Sequence, residues 1–404
     1  MKPDELRRQH LNSGYPMTIE KSQRRIAFFL YGLTGGGVPR RTVTLANAFA
    51  AQGDRVDMVV LNAENPWQYD IKGMRLVSLA SWRLRLPFIR NKRRRQFVAA
   101  RPALERYLKT EQPSVVISAD SSANLTVLDA RRRVAMQVPV IVTQRTHTST
   151  YASNKPALIQ RIQRTYPQAD AVVGVSKAII DDLAALGVPG DRLQTIYNPV
   201  IAENFEQVTK LPVGHPWFQA GQPPVVLGVG RIGRQKDFST LVRAFAQAHQ
   251  VRSELRLVIL GDAQHAADRA ALLGLATDLK IAEAVDLPGA VPQAIPYMAR
   301  AALVALSSRF EGMPGVLIEA LACGTPVIST DCPSGPDEVL ENGRYGPLVP
   351  VGDAAALARA MLDTLANPLD RKTLAQRGHF FSSERSLRQY SALVDTVIKA
   401  RRKA

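Results

Sequence analysis

Four side chains in the second half of the chain have types and spacings suited to chemistry on an activated phosphate. Glu311 and Glu319 stand eight apart in SSRFEGMPGVLIEALACGTP (307–326), and Arg231 and Lys236 stand five apart in GVGRIGRQKDFSTLVRAF (228–245). A carboxylate set among Val316, Leu317, Ile318, Leu321 and Ala322 must reach water or find a partner, because burying it alone costs several kcal/mol. Pro314 suits the first turn of a helix and Gly324 its end, which puts Glu311 in a loop and Glu319 about one turn into a helix. Five helical residues rise about 7.5 Å. The two carboxylates then bracket a diphosphate held by the amides of Gly315 and Val316, with Glu319 accepting from two vicinal hydroxyls, as in a ribose, and Glu311 facing another part of the ligand. The plainer account of a lone glutamate is that Glu319 reaches solvent or pairs with an arginine. Arg231 and Lys236, where a strand gives way to a helix, have a guanidinium and an ammonium in reach of phosphate oxygens; on an exposed loop such cations are commonly just solvated.

A glycine-rich loop, GLTGGGVPRRTVTLANAF (32–49), supplies a second candidate surface. Gly32, Gly35, Gly36 and Gly37 allow close backbone approach and free the amides of a helix start for oxyanions. Their spacing is not G-x-G-x-x-G and no acid on a second strand accompanies it, so a dinucleotide site is poorly supported.

These groups need strands and helices to carry them. Apolar runs of strand length at 25–32, 55–63, 113–119, 138–144 and 171–176 alternate with helix-length segments such as 41–53, and the pattern resumes at 225–230, 255–261, 284–289, 302–308 and 326–330. Such alternation implies parallel sheets wrapped by helices, an α/β chain of two doubly wound domains. The rhythm breaks over 198–224, which holds five prolines and reads as a linker region. The expected organisation is a disordered tail over 1–22, a first doubly wound domain over 23–205, a linker over 206–224, a second doubly wound domain over 225–382 and a closing amphipathic helix over 383–404. In such sheets ligands bind at the carboxyl ends of the strands.

Composition narrows the classes further. With 404 residues, 46% hydrophobic and 22% charged, the chain has the make-up of a globular protein with room for two domains. No apolar run reaches membrane-spanning length and the first 25 residues lack a signal-peptide core, so a cytoplasmic location is expected. Cys323 and Cys332 are too few for a disulfide framework and read as reduced, buried thiols. Residues 1–200 carry 30 Lys and Arg against 15 Asp and Glu, whereas 201–404 carry 22 against 20, so the +17 net charge belongs almost wholly to the first half. It peaks in SWRLRLPFIRNKRRRQF (81–97), where Trp82, Leu84, Leu86, Phe88 and Ile89 interleave with seven cations. Two readings stand for this segment: an anionic membrane surface, or a solvated charged face. Nucleic acid is not expected, since no helix-turn-helix, zinc-finger or RNP pattern accompanies the charge.

The combination of EGMPGVLIEALACGTPV (311–327) with GVGRIGRQKDF (228–238), VSKAIIDDLAALGVPGDRLQTIYNPV (175–200) and DCPSGPDEVLENGRYGPLVPVGD (331–353) resembles the retaining glycosyltransferases of the family 4 type, over about 25–365. The resemblance implies a GT-B fold, with two Rossmann-like domains facing each other across a cleft, that over 23–205 binding the acceptor and that over 225–382 the nucleotide sugar. It implies that Arg231 and Lys236 bind the donor's diphosphate, that Glu319 binds the ribose hydroxyls, and that Glu311 lies against the transferred sugar. Gly35, Gly36 and Gly37 would face the phosphates, and His147 in TQRTHTSTY would stand near the reacting sugar, a place Arg145 could fill instead. Pro314 and Pro199 depart from the common pattern, in which an aromatic residue or glycine and a glycine are frequent, and this bears on which sugar is used. No metal cofactor is expected, because no D-x-D arrangement accompanies the site and cations with helix dipoles can stabilise the leaving diphosphate.

The expected reaction is transfer from a nucleotide diphosphate sugar, UDP by family frequency, to a hydroxyl of a glycan or glycolipid, in surface-polysaccharide or lipopolysaccharide assembly. A nucleotide-sugar epimerase shares the phosphate and ribose contacts but needs no acceptor surface. A non-catalytic sugar-binding protein of two domains would ordinarily be exported. A glycoside hydrolase needs two carboxylates flanking one bond, which nothing in the pattern suggests.

Overall fold

The computed structural model describes residues 24–33, 37–62, 71–79, 92–263 and 265–403, without the side chains of residues 62, 92–97, 99 and 403. The tail over 1–22, Gly35, Gly36 and the segment 81–91 lie outside the described residues. The first domain holds β1 (Arg25–Gly32), β2 (Arg55–Asn62), β3 (Met74–Ser78), β4 (Val115–Ala119), β5 (Val140–Gln144), β6 (Ala171–Gly174) and β7 (Leu193–Thr195). They form one parallel sheet in the order β3-β2-β1-β4-β5-β6-β7. The second domain holds β8 (Val225–Val229), β9 (Arg256–Leu260), β10 (Val285–Gly289), β11 (Leu303–Leu306), β12 (Val327–Thr330) and β13 (Leu348–Val349), in the parallel order β10-β9-β8-β11-β12-β13.

Both orders reverse direction beside the first strand of their domain, as doubly wound sheets do. The central strands are mostly apolar because helices cover both faces; Asp57 in β2 is a buried charged exception. Along β1 the side chains alternate: Ile26, Phe28 and Leu30 enter one core, Ala27 and Phe29 the other. Each fully buried Phe, Leu or Ile contributes about 1.5–3 kcal/mol by leaving water. Pattern alone does not point to β3, β7 and β13, which stand at or near sheet edges and are short or half-exposed.

The helix expected over 41–53 begins earlier, at Gly37, and runs to Ala51, since Pro39 is tolerated in a first turn. Between the sheets the chain is largely irregular, with a short helix over Phe205–Thr209 and a 3-10 turn over Pro216–Phe218. The last helix, Ser383–Lys403, returns to the first domain. Its Leu387, Tyr390, Val394 and Val397 enter the core of Ile26, Phe28, Val43 and Phe49, and Arg24 donates to Asp395 at 2.8 Å. Among the described residues no helix is long and apolar enough to cross a membrane.

Candidate active site in the interdomain cleft

At the switch point of the second sheet, β8 and β11 are neighbours whose following loops are braced together. Arg309 N donates to Gln235 O at 2.8 Å, Gln235 Nε2 to Phe310 O at 3.1 Å, and Ser307 Oγ to Lys236 O at 2.8 Å. This bracing brings together two of the residues singled out in the sequence. Lys236 Nζ donates to Glu311 Oε1 at 2.8 Å and Ser308 Oγ donates to the same oxygen at 2.7 Å. Glu311 is 8% exposed, so its charge is held by these donors rather than by bulk water. Arg231, on the same loop, is exposed and has no ion pair among the described residues.

The helix after this loop runs Gly315–Ala322, with Pro314 as its N-cap rather than within its first turn. Its first backbone bonds are donated by Leu317 and Ile318 to Pro314 O, so the amides of Gly315 and Val316 precede the ladder. Leu317, Ile318 and Leu321 are wholly buried. Glu319, 4% exposed, does not reach solvent; Arg41 Nη2 of the first domain donates to its Oε1 at 2.7 Å, and Arg40 Nη1 stands 3.6 Å away. The arginine partner is therefore the account the structure realises. Residues four apart share a helix face, and Arg41 lies along the stripe made by Gly315 and Glu319. A Cβ on Gly315 would sit 2.7 Å from Arg41 Nη2, so the tip of the guanidinium lies directly against this glycine. Burial pulls the Arg41 guanidinium below its ordinary value, against the pull of Glu319.

The loop after β5 faces this helix from the first domain. A Cβ on Gly312 would stand 1.9 Å from Arg145 O, so the two loops touch backbone to backbone at a position only glycine allows. His147, two residues on, caps the short helix Thr148–Tyr151; its Nδ1 accepts from Thr150 N at 3.4 Å and lies 3.6 Å from Asp182. Arg145 donates to Asn198 Oδ1 at 2.7 Å, and burial lowers its pKa. Gly37 begins the helix that carries Arg40 and Arg41. Beside the cleft a further set spans the domains: Glu338 accepts from Lys177 N at 2.8 Å and from Tyr197 OH, and Ser176 Oγ meets Ser334 Oγ at 2.8 Å. Burial raises the pKa of the Glu338 carboxyl.

Sequence reading passed over Arg41, Tyr197 and Glu338. For Arg41 a signal was present: it falls on the buried stripe of its helix, four residues before Leu45 and eight before Phe49, where an uncompensated guanidinium demands a partner. Cys332 is buried and Cys323 half-buried, both free; burial first, then Glu311 and Glu319 respectively, push their thiols up to about 12, so both stay protonated. Among the described residues no group of three or more His, Cys, Asp or Glu is placed to hold a metal ion.

Comparison with known proteins agrees with the two-domain fold. Residues 35–204 match the family model described as Glycosyltransferase Family 4, and residues 223–367 the model described as Glycosyl transferases group 1. The chain is 26% identical to the lipopolysaccharide core biosynthesis glycosyltransferase LpsE of Rhizobium meliloti, over 88% of this chain and 93% of that protein. It is 31% identical to the N-acetylgalactosamine-N,N'-diacetylbacillosaminyl-diphospho-undecaprenol 4-alpha-N-acetylgalactosaminyltransferase of Campylobacter jejuni, over 52% of this chain and 55% of that one. Among solved structures, the Anabaena HepE protein in complex with UDP and glucose superposes with a TM-score of 0.73 at 19% identity, covering 93% of this chain and all of that one. The lipopolysaccharide outer core galactosyltransferase WaaB superposes at 0.68 with 21% identity, over 92% and 99% of the two chains.

Proposed function

The chain belongs to the glycosyltransferases of the family 4 type, with the GT-B fold, and from that premise we propose that it moves a sugar from a UDP-sugar to a glycan hydroxyl with retention at the anomeric carbon. The acceptor is a lipid-linked, surface-polysaccharide or lipopolysaccharide glycan, in keeping with the printed activities of the Rhizobium and Campylobacter relatives. UDP is favoured because HepE, of similar fold, was solved with UDP and glucose. The observation that carries the reading is the Lys236–Glu311 pair, held in the braced loops after β8 and β11 directly ahead of the helix whose Gly315 and Val316 amides precede its ladder and whose Glu319 meets Arg41 of the first domain.

Charge collects on the departing diphosphate as the anomeric C–O bond breaks. Lys236, Arg231 and the helix amides stand where that charge develops, which lowers the barrier more than it tightens the ground state. The acceptor oxygen bonds to the anomeric carbon from the same face and its proton passes to the leaving phosphate oxygen, so no protein base is required. Glu319 takes the ribose hydroxyls and Glu311 lies against the sugar. His147, or Arg145 two residues before it, holds the sugar from the facing loop. Closure of the two domains excludes water, the competing acceptor. The basic segment 81–97 rests on anionic lipid at the inner membrane face; this part stands on sequence.

The test begins with thermal shifts across nucleotide diphosphates and their sugars, because a ligand of the native state raises the melting temperature. The stabilising donor is then incubated with a lipid-linked acceptor, with and without EDTA, and the product's anomeric configuration is read by NMR. An α-linked product from an α-linked donor, formed equally in EDTA, is expected. Free epimer from donor alone, or full activity in Lys236→Ala/Glu319→Ala, overturns the assignment.

A further inference from the structure

The ribose-binding role given to Glu319 conflicts with its present partner. One carboxylate oxygen accepts from Arg41 at 2.7 Å, and Arg41 is 8% exposed, with Val200 O at 3.1 Å as its other acceptor. A ligand whose hydroxyls draw Glu319 away leaves a buried guanidinium without a counter-charge, which opposes binding. The opposition disappears if the same ligand brings an anion to Arg41. Such an anion has an obvious seat: Arg41 Nη2 already lies against Gly315, beside the amides of Gly315 and Val316 that precede the helical ladder.

On the reading of the cleft as a nucleotide-sugar site, we propose that Arg41 is a specificity-determining residue that exchanges Glu319 for the donor's diphosphate. A nucleoside diphosphate supplies both halves of the exchange, with hydroxyls for Glu319 and phosphate oxygens for Arg41. A nucleoside supplies one half and is rejected. Because Arg41 and Glu319 belong to different domains, the exchange also makes the domain contact depend on the diphosphate. The planar guanidinium suits the change, since it can bond a carboxylate or a phosphate with the same fork. Arg40, 45% exposed and 3.6 Å from Glu319, is the less desolvated neighbour and does not replace it.

Titration calorimetry with UDP, UMP and uridine, on wild type, Arg41→Ala and Arg41→Gln, tests the exchange. In wild type the UDP affinity should exceed the uridine affinity by at least about a hundredfold. Both variants should bind UDP at least about tenfold more weakly while holding or improving uridine binding, so the ratio falls at least tenfold, about 1.4 kcal/mol. Arg41→Gln keeps the side-chain length and is the arm to read if Arg41→Ala melts early. A ratio unchanged in a folded variant, with UDP and uridine affinities moving together, overturns the exchange and leaves the donor reading intact. Failure of wild type to bind UDP overturns the donor reading itself, and the exchange with it.

Discussion

In Lys236→Ala the carboxylate of Glu311 loses the ammonium 2.8 Å away and keeps the Ser308 hydroxyl at 2.7 Å. The lysine side chain is 14% exposed and that of Glu311 9%, so the pair counts as largely buried. Removing one partner of a buried pair costs about 3–5 kcal/mol, and the Ser308 bond argues for the lower end; about 3 kcal/mol corresponds to a melting temperature lower by about 6–12 °C. Catalysis carries a separate magnitude. An ammonium about 4 Å from a phosphate charge, at an effective dielectric of about 20, interacts by about 4 kcal/mol, and if half of this arises only as the bond breaks, kcat falls about thirtyfold. Combining Lys236→Ala with Glu311→Gln separates the two effects. The double variant removes the uncompensated charge and should regain most of the melting temperature, but not the turnover. Calorimetric melting and kcat at saturating donor read both quantities on the same preparations. Turnover that recovers with stability, or a single variant within about threefold of wild-type kcat, refutes a direct role for Lys236 in the transition state.

Two further predictions concern stability and location. Asp57 is wholly buried in β2 and accepts from Arg25 at 2.9 Å, Arg75 at 2.9 Å and Tyr107 at 2.6 Å. Burial alone would raise its pKa, but the Arg75, Tyr107 and Arg25 donors outweigh it and hold the carboxyl below the ordinary 3.8. A depressed folded value contributes stability above the unfolded pKa that is lost as pH falls through the folded one, so the urea midpoint should drop steeply only below 3.8. Asp57→Asn should cost about 3–5 kcal/mol at pH 7 and flatten that acid limb; an unchanged limb refutes the assignment. Neutralising Arg93, Arg94 and Arg95 together should weaken flotation with anionic vesicles in a salt-dependent way, and vesicle binding equal to wild type at all salt concentrations removes the lipid role of the segment.

Sequence by itself determined the architecture and pointed to one pair that the fold brings into contact, Lys236 and Glu311. A parallel strand buried on both faces must be apolar along its length, so β1, β8 and β11 could be read as runs without regard to what they pair with. β7 spans three residues and β13 two, too short for any period to emerge, and only neighbours in space make them strands. Glu311 and Lys236 were legible because each falls in a loop directly after a readable strand, and strand ends converge in any doubly wound sheet. The partner of Glu319 was not legible. Arg41 lies 278 residues away on another domain, and which arginine meets a buried carboxylate depends on how two separately folded sheets are set against each other. That setting rests on long-range contacts, the return of helix Ser383–Lys403 to the first domain and the glycine contact of Gly312 with Arg145, which have no local periodicity to announce them.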